Sequence, residues 1–171
     1  LKGTIIDVPA DISSAAFFLV AASICPGARL TIRHVGINPT RIGIINLLRE
    51  MGASIDITNE TVIGGEPVAD LKVSYSELRG ITVPADQIPL AIDEFPIFFI
   101  AAACAEGTTE LRGAEELRVK ESDRLEAMAS GLKSLGIEIE IFPDGIRIEG
   151  GDILGGRVNS LGDHRIAMAF S

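Results

Sequence analysis

The sequence predicts an α/β domain of an inside-out, barrel-like kind, in which apolar helices lie in the middle and sheets surround them. An internal repeat is the first reason, because segment 15–32 resembles 95–111 and segment 47–57 resembles 131–141. The first helix of each repeat is the second reason, since it is apolar on every side, as fully buried helices are. The strands are the third, because they alternate apolar and polar residues and so leave one sheet face in water.

Each repeat is predicted, in chain order, to form a β-α-β-α-β-β unit. Its amphipathic second helix ends at Gly52 or Gly136, where a helix C-cap favours glycine, and an alternating strand follows. The expected unit boundaries are residues 1–80, 81–155 and, for the start of a third unit, 156–171. The apolar first helices are expected at residues 12–24, 94–105 and 163–170. We expect these units to surround a common core of helices in a single domain, residues 1–171.

Composition excludes several classes of protein. The net charge of −9 argues against non-specific binding of nucleic acid, and it requires a local cluster of bases for any anionic ligand. The apolar runs AAFFLVAA and PIFFIAAACA are shorter than the roughly 18–20 residues that cross a membrane. No signal peptide is visible, so we expect a cytoplasmic protein. Two cysteines and two histidines lie far apart in sequence, so we expect no metal site and no other cofactor.

The two cysteines, Cys25 and Cys104, lie in the apolar runs AASICPG and IAAACAEG. Such surroundings favour buried free thiols, because an unpaired cysteine behaves as a small apolar residue. A disulfide or a redox pair is the alternative interpretation.

A charged segment, RVKESDRLEAM at 118–128, opens one predicted helix. On a helical wheel Glu121 falls on the same line as Leu125 and the apolar residues that follow, so we expect its carboxylate to point inward or into a cleft. The alternative is a ladder of ion pairs among Lys120, Glu121 and Arg124 on a solvated helix face.

Two other predicted helices also begin with charged residues. Asp93 precedes Pro96 and a wholly apolar helix, and by itself this arrangement is typical of an N-cap with proline just inside the helix. Asp163 is a candidate N-cap in GDHR, where His164 and Arg165 follow in the first turn. Cations at that end oppose the helix dipole, so they indicate a bound anion.

Equivalent helix starts are expected to converge at one end of a repeat domain. The expected cluster contains Asp93, Lys120, Glu121, Arg124, His164 and Arg165. Two carboxylates among four cationic groups suit a multiply anionic substrate and proton transfer. Asp11, in the segment DISS, is expected to be an ordinary N-cap.

These motifs resemble the 5-enolpyruvylshikimate-3-phosphate synthase family. The resemblance is carried by DEFPIFFIAAACAEGTTELRGAEELRVKESDRLEAM and DHRIAMAF, together with VPADISSAAFFLVAA and NPTRIGIINLLREMGASI. It covers essentially the whole chain, and the pair LRVKESDR and DHRIAM is its most specific part. It implies the enolpyruvyl transferase fold, with two domains of three β-α-β-α-β-β units each, of which this chain is most of the C-terminal one.

The resemblance also implies a reaction. The enolpyruvyl group passes from phosphoenolpyruvate to the 5-hydroxyl of shikimate 3-phosphate, through a tetrahedral intermediate that then loses phosphate, without a metal. Asp93 matches the residue that holds the shikimate hydroxyls and serves in proton transfer, and Lys120 matches the lysine at shikimate 3-phosphate and the reacting centre. Glu121 matches the glutamate placed to protonate the methylene carbon of phosphoenolpyruvate.

The basic residues complete the implied site. Arg124 and Arg165 match two arginines that grip the carboxylate and phosphate of phosphoenolpyruvate, where planar bidentate geometry favours arginine over lysine. His164 lies beside them and orients other groups rather than reacting. The implied catalytic residues are Asp93, Lys120 and Glu121. The implied substrate-binding residues are Asp93, Lys120, Arg124, His164 and Arg165.

The remainder of the implied site lies outside this sequence. The sequence begins at LKGTIIDV without an initiator methionine and stops inside an apolar helix, so we expect a piece of a longer protein. The family's other domain, which grips the shikimate phosphate with serines and a glutamine, precedes it, and a further lysine follows position 171. We therefore expect the 171-residue piece to be inactive alone.

Two other functions compete with this interpretation. The sister enolpyruvyl transferase acting on UDP-N-acetylglucosamine shares the fold, but it lacks the DHRIAM helix start. A non-catalytic domain on the same scaffold is the second, and the intact set of acidic and basic residues argues against it.

Overall fold

A computed structural model describes residue 3 and residues 5–171 of the chain. The helices are α1 (Ile12–Ile24), α2 (Gly43–Glu50), α3 (Ile88–Ala91), α4 (Phe95–Ala103), α5 (Arg124–Ser134) and α6 (His164–Ala169). The strands are β1 (Arg29–Gly36), β2 (Ser54–Ile63), β3 (Glu66–Ser74), β4 (Thr108–Leu111), β5 (Glu138–Phe142) and β6 (Gly145–Glu149). Short 3₁₀ turns lie at Ala85–Gln87 and Glu115–Val119. The three predicted apolar helices are confirmed, with ends displaced by at most two residues.

Two antiparallel sheets with the same strand order confirm the internal repeat. The first sheet is ordered β1-β3-β2 and the second β4-β6-β5, so in each the last strand lies between the other two. An isolated parallel bridge adds a further strand position before each apolar helix, Ala10 to Val35 in the first unit and Thr82 to Glu110 in the second. Each unit therefore has the predicted β-α-β-α-β-β order.

The helices form the core and the sheets lie outside it, as predicted. Every residue of α4 is buried, and the rings of Phe95 and Phe99 stack with their centroids 5.8 Å apart. Helix α4 packs against α1, α2, α5 and α6, so it is the centre of the domain. Since burying an aromatic side chain stabilises a fold more than burying a small aliphatic one, this helix contributes strongly to stability.

The outer sheet faces are wet, as the alternating pattern predicts. On β6, Arg147 is paired in register with Glu110 of β4 and Glu140 of β5. Its guanidinium lies 2.8 Å from the Glu110 carboxylate and 2.6 Å from the Glu140 carboxylate. The adjacent residue Ile148 is fully buried and faces the helices. Alternation along one strand thus separates an ion-pair row from the core.

Helices α1 and α6 are not buried on every side, and that part of the prediction is wrong. In α6 Ala167 and Met168 are exposed. In α1 Ser14, Phe18 and Ala21 form an exposed stripe at helical spacing, and Phe18 is 60% exposed. An apolar sequence all round a helix predicts that each face can be buried. It does not predict whether another element packs on a given face. Within the part of the chain that the structure describes, no helix is long and apolar enough to cross a membrane.

The cysteines correct a second expectation. Cys25 and Cys104 are both free and both exposed, whereas the sequence predicts buried thiols. Each is the C-cap of an apolar helix, α1 for Cys25 and α4 for Cys104. At such a position the chain leaves the core, so an apolar run on the N-terminal side does not ensure burial.

Candidate active site

The helix starts converge as predicted, and the Asp93 carboxylate is at their centre. It lies 3.8 Å from Lys120 Nζ and 3.4 Å from Arg124 Nη1 through Oδ1, and 3.8 Å from Arg165 Nη2 through Oδ2. Lys120 precedes α5, Arg124 opens it, and Arg165 lies in the first turn of α6. Three separate elements thus bring cations to one carboxylate.

Asp93 is not an N-cap, so the simpler interpretation of this residue is wrong. Helix α4 begins at Phe95 with Glu94 in the cap position, and of the residues described here none gives it a side-chain cap bond. A capping side chain usually accepts from the second or third helical N–H, and Pro96 at the second position has none. The Asp93 carboxylate is therefore free to face the cations.

Glu121 reaches the cluster by a route different from the predicted one. Helix α5 begins only at Arg124, with Asp123 as N-cap accepting from the Glu126 amide at 3.0 Å. Glu121 thus precedes the helix, its side chain is 55% exposed, and the helical wheel does not apply to it. Its carboxylate lies 2.9 Å from His164 Nδ1 and 3.6 Å from Arg124 Nη2. An acidic residue followed three positions later by glutamate, as in DRLE, is a helix-start signal that places the boundary correctly.

Arg124 is too deeply buried for a ladder of ion pairs on a solvated face. Its side chain is 3% exposed, and its Nε donates to Asp163 Oδ2 at 2.9 Å. Ser122 donates to the same oxygen, while Oδ1 accepts from the backbone N–H of Arg165 at 2.9 Å, which confirms Asp163 as the N-cap of α6. Lys120, by contrast, pairs with Glu116 one turn earlier, as a ladder would.

The buried Asp163 carboxylate stays ionised because its partners outweigh its burial. Burial raises the pKa of Asp163, but hydrogen bonds from Arg124, Ser122 and the Arg165 backbone lower it, and the net pKa is below its usual value. One oxygen each of Glu121 and Asp163 and one nitrogen of His164 lie within 4.8 Å of one another, a spacing that a metal ion requires. Since both Asp163 oxygens already accept hydrogen bonds, we interpret this group as part of the ion-pair network.

Arg118 is a residue of the site that sequence reasoning missed. Its guanidinium donates to the carbonyls of Phe142 and Pro143 and to the Asp123 carboxylate, each at 2.7 Å. It thereby fastens the segment 118–123 to the turn between β5 and β6. Two of its three acceptors are backbone carbonyls more than 20 residues away, and no sequence pattern marks such a contact.

Replacing Arg118 with alanine is expected to loosen the segment that carries Lys120 and Glu121. Hydrogen bonds from a charged donor contribute about 1.5–3 kcal/mol each at best, and this side chain is partly exposed, so we expect a loss of about 1–3 kcal/mol. Hydrogen exchange of the amides in 118–123, measured on the full-length protein, checks the loosening. Arg112→Ala is the control, because Arg112 pairs with Asp144 at the same turn without touching the segment. Equal exchange in both variants contradicts the assignment.

Comparisons with known proteins identify a family and a fold for this chain. The family model described as EPSP synthase (3-phosphoshikimate 1-carboxyvinyltransferase) matches residues 1–171. The chain belongs to the EPSP synthase family. The 3-phosphoshikimate 1-carboxyvinyltransferases of Methylococcus capsulatus and Legionella pneumophila (strain Paris) are each 64% identical to it, over 171 and 169 residues. Those alignments cover 100% and 99% of this chain but 39% of each relative, so the chain spans about two fifths of the length of these EPSP synthases.

Solved structures support the same fold. The EPSP synthase of Acinetobacter baumannii superposes with a TM-score of 0.95 at 57% identity, over 99% of this chain and 40% of that one. The enolpyruvyl transferase NikO of Streptomyces tendae matches with a TM-score of 0.54 at 21% identity, over 84% of this chain and 31% of that one. The second likeness shows the fold alone, and it confirms the predicted enolpyruvyl transferase fold.

Proposed function

We propose that the full-length protein containing this chain transfers the enolpyruvyl group of phosphoenolpyruvate to the 5-hydroxyl of shikimate 3-phosphate. The reaction releases phosphate and belongs to the shikimate pathway of aromatic amino-acid biosynthesis. The observation that carries the proposal is the convergence of three cations on the Asp93 carboxylate, next to Glu121, in a chain of the EPSP synthase family. In this proposal residues 1–171 are most of a C-terminal domain, the protein is cytoplasmic, and an N-terminal domain supplies the other side of the cleft.

The acidic residues divide the proton transfers between them. In the addition step the 5-hydroxyl oxygen bonds to C2 of phosphoenolpyruvate, its proton passes to the Asp93 carboxylate, and Glu121 delivers a proton to the methylene carbon. In the elimination step the C–O bond to phosphate breaks, the proton held by Asp93 passes to the departing phosphate, and the methyl carbon returns a proton to Glu121. His164, 2.9 Å from Glu121, orients that carboxylate. A carboxylate pair with separate partners suits opposite proton transfers.

The basic residues bind the anionic parts of the substrates. Lys120 lies between Asp93 and Glu116 and is placed for the reacting centre of shikimate 3-phosphate. Arg124 and Arg165 approach Asp93 from α5 and α6, and we assign both to the carboxylate and phosphate of phosphoenolpyruvate. Held in advance by the protein, such donors stabilise developing charge without reorganising.

The full-length protein is expected to release phosphate from phosphoenolpyruvate only when shikimate 3-phosphate is present. The purified 171-residue piece is expected to show no turnover, because orienting two substrates in a complete cleft lowers a barrier by about 7–11 kcal/mol and half a cleft forfeits much of this. Phosphate release, with the enol ether product identified by NMR, measures both.

Three outcomes of that assay count against the proposal. Release that requires UDP-N-acetylglucosamine supports the sister transferase. No release from the full-length protein with either acceptor supports a non-catalytic domain. Turnover by the 171-residue piece, free of host enzyme, contradicts the need for a second domain.

A further inference from the structure

Glu94 is a buried carboxylate that the proposed reaction does not use. Glu94 is 5% exposed and lies next to Asp93 at the start of α4. The other buried carboxylate among the described residues, Asp163, has Arg124 at hydrogen-bonding distance. Burying a charge costs free energy of folding unless the charge is paired and hydrogen-bonded, so the partners of Glu94 are informative.

Glu94 joins the starts of three helices that occupy equivalent places in the repeat. The Ser13 hydroxyl, in the first turn of α1, donates to Glu94 Oε1, and Arg41 Nη2 donates to Ser13 Oγ at 2.9 Å. On its other side, the same Glu94 oxygen lies 3.7 Å from Arg165 Nη1, in the first turn of α6. A single carboxylate oxygen thus contacts a hydroxyl from one helix and a guanidinium from another.

The contacts of Arg165 show what this arrangement achieves. Its Nη1 donates to the backbone carbonyl of Asp93 at 3.0 Å and faces the Glu94 carboxylate. This nitrogen of the guanidinium is therefore engaged by the protein rather than by a ligand. Its Nη2 lies on the side of the Asp93 carboxylate, toward the cation cluster. The Arg165 side chain is largely buried, so its orientation depends on these fixed neighbours rather than on solvent.

We propose that Glu94 is a positioning residue for the binding of phosphoenolpyruvate. Its negative charge holds Nη1 of Arg165 against the Asp93 carbonyl and so presents the Nη2 edge to the anionic substrate. The inference rests on the proposed function, because Arg165 is assigned there to phosphoenolpyruvate. Glu94 itself touches neither substrate and acts through Arg165.

The electrostatic surroundings agree with a functional rather than a stabilising charge. The pKa of the Glu94 carboxyl is raised overall, mainly by burial, and the charge of Asp93 adds to this. The Ser13 hydroxyl and the charges of Arg165 and Arg41 lower the pKa and offset part of the increase. The charged groups that face this carboxylate, directly or through Ser13, are Arg41, Asp93 and Arg165. An acid with a raised pKa binds its proton more tightly in the folded state, so folding stability falls as pH rises through the range just above the ordinary value.

Glu94→Gln in the full-length protein separates positioning from stability. Glutamine keeps an oxygen for Ser13 and removes the charge, so we expect KM for phosphoenolpyruvate to rise about tenfold, as for the loss of one charge-assisted contact. KM for shikimate 3-phosphate and kcat are expected to stay within about twofold. The unfolding midpoint at neutral pH is expected to be unchanged or higher, and its decrease with pH just above the ordinary glutamate pKa is expected to disappear.

Glu126→Gln is the matched control, because Glu126 is an exposed glutamate in the first turn of α5. A phosphoenolpyruvate KM in Glu94→Gln that stays within twofold of the wild type overturns the inference, as does a lower unfolding midpoint with equal changes in both KM values. A crystal structure of the full-length variant gives a readout independent of activity. Arg165 Nη1 displaced from the Asp93 carbonyl supports positioning even if the wild type shows no turnover, whereas an unmoved Arg165 overturns it.

Discussion

Glu121→Gln in the full-length protein is expected to lower turnover by about 10²–10⁴-fold, the usual contribution of a general acid or base. Glutamine preserves the shape of the side chain and a hydrogen-bonding oxygen, but it has no proton to deliver to the methylene carbon. Because Glu121 is 55% exposed and contacts His164 and Arg124 rather than the core, the fold is expected to tolerate the change. The affinity for shikimate 3-phosphate is expected to change little, since this binding is assigned to Asp93 and Lys120.

The ion-pair interpretation of the same residue predicts a different result. If Glu121 only pairs with Arg124, its loss costs about 0.2–0.5 kcal/mol of stability and leaves turnover nearly normal. Single-turnover kinetics beside a thermal melt therefore distinguish the two, with Glu126→Gln as control at the same helix start. Unchanged turnover in Glu121→Gln removes Glu121 from the proposed mechanism.

The architecture was predictable because the sequence contains an internal repeat, so the same order of elements is indicated twice. The segments 15–32 and 95–111 each give an apolar helix followed by a strand, and the structure places α1 with β1 and α4 with β4 there. Burial imposes a pattern on every residue of an element, so periodicity detects it. What periodicity does not detect is whether another element packs on a given part of an apolar surface, and among the described residues Phe18 stays exposed.

The residues that gather around Asp93 were predictable, but the geometry of the site and the contacts of Arg118 were not. Charged residues at helix starts drew attention to Asp93 and Arg165, and the repeat brought their helices together. The error at Glu121 arose from extending α5 over residues 121–123, although Asp123 and Glu126 form a recognisable helix start. Contacts between residues far apart in sequence, such as that of Arg118 with Pro143, follow from folding and leave no local pattern.

Arg124→Met is expected to destabilise the full-length protein by about 3–5 kcal/mol, the cost of removing one partner of a buried ion pair. Arg124 is 3% exposed, and Asp163 Oδ2, 2.9 Å from its Nε, belongs to a side chain that is 0% exposed. Methionine replaces much of the buried stem of arginine, so the loss measures the charge and hydrogen bonds rather than a cavity. Circular dichroism during urea unfolding suits the measurement, because residues 1–171 contain no tryptophan.

A double-mutant cycle with Asp163→Asn tests whether the loss comes from this pair. If it does, Arg124→Met is expected to cost much less in the Asp163→Asn background, because no buried carboxylate is then left unpaired. The pH dependence provides a second check. The pKa of Asp163 is lowered in the folded state, so its contribution to stability is present above the ordinary aspartate pKa and is lost as pH falls through the folded value. Arg124→Met is expected to reduce that acid-sensitive contribution, because the hydrogen bonds from Ser122 and the Arg165 backbone remain. Equal costs in both backgrounds would show that Arg124 acts through Asp93 or Glu121 instead.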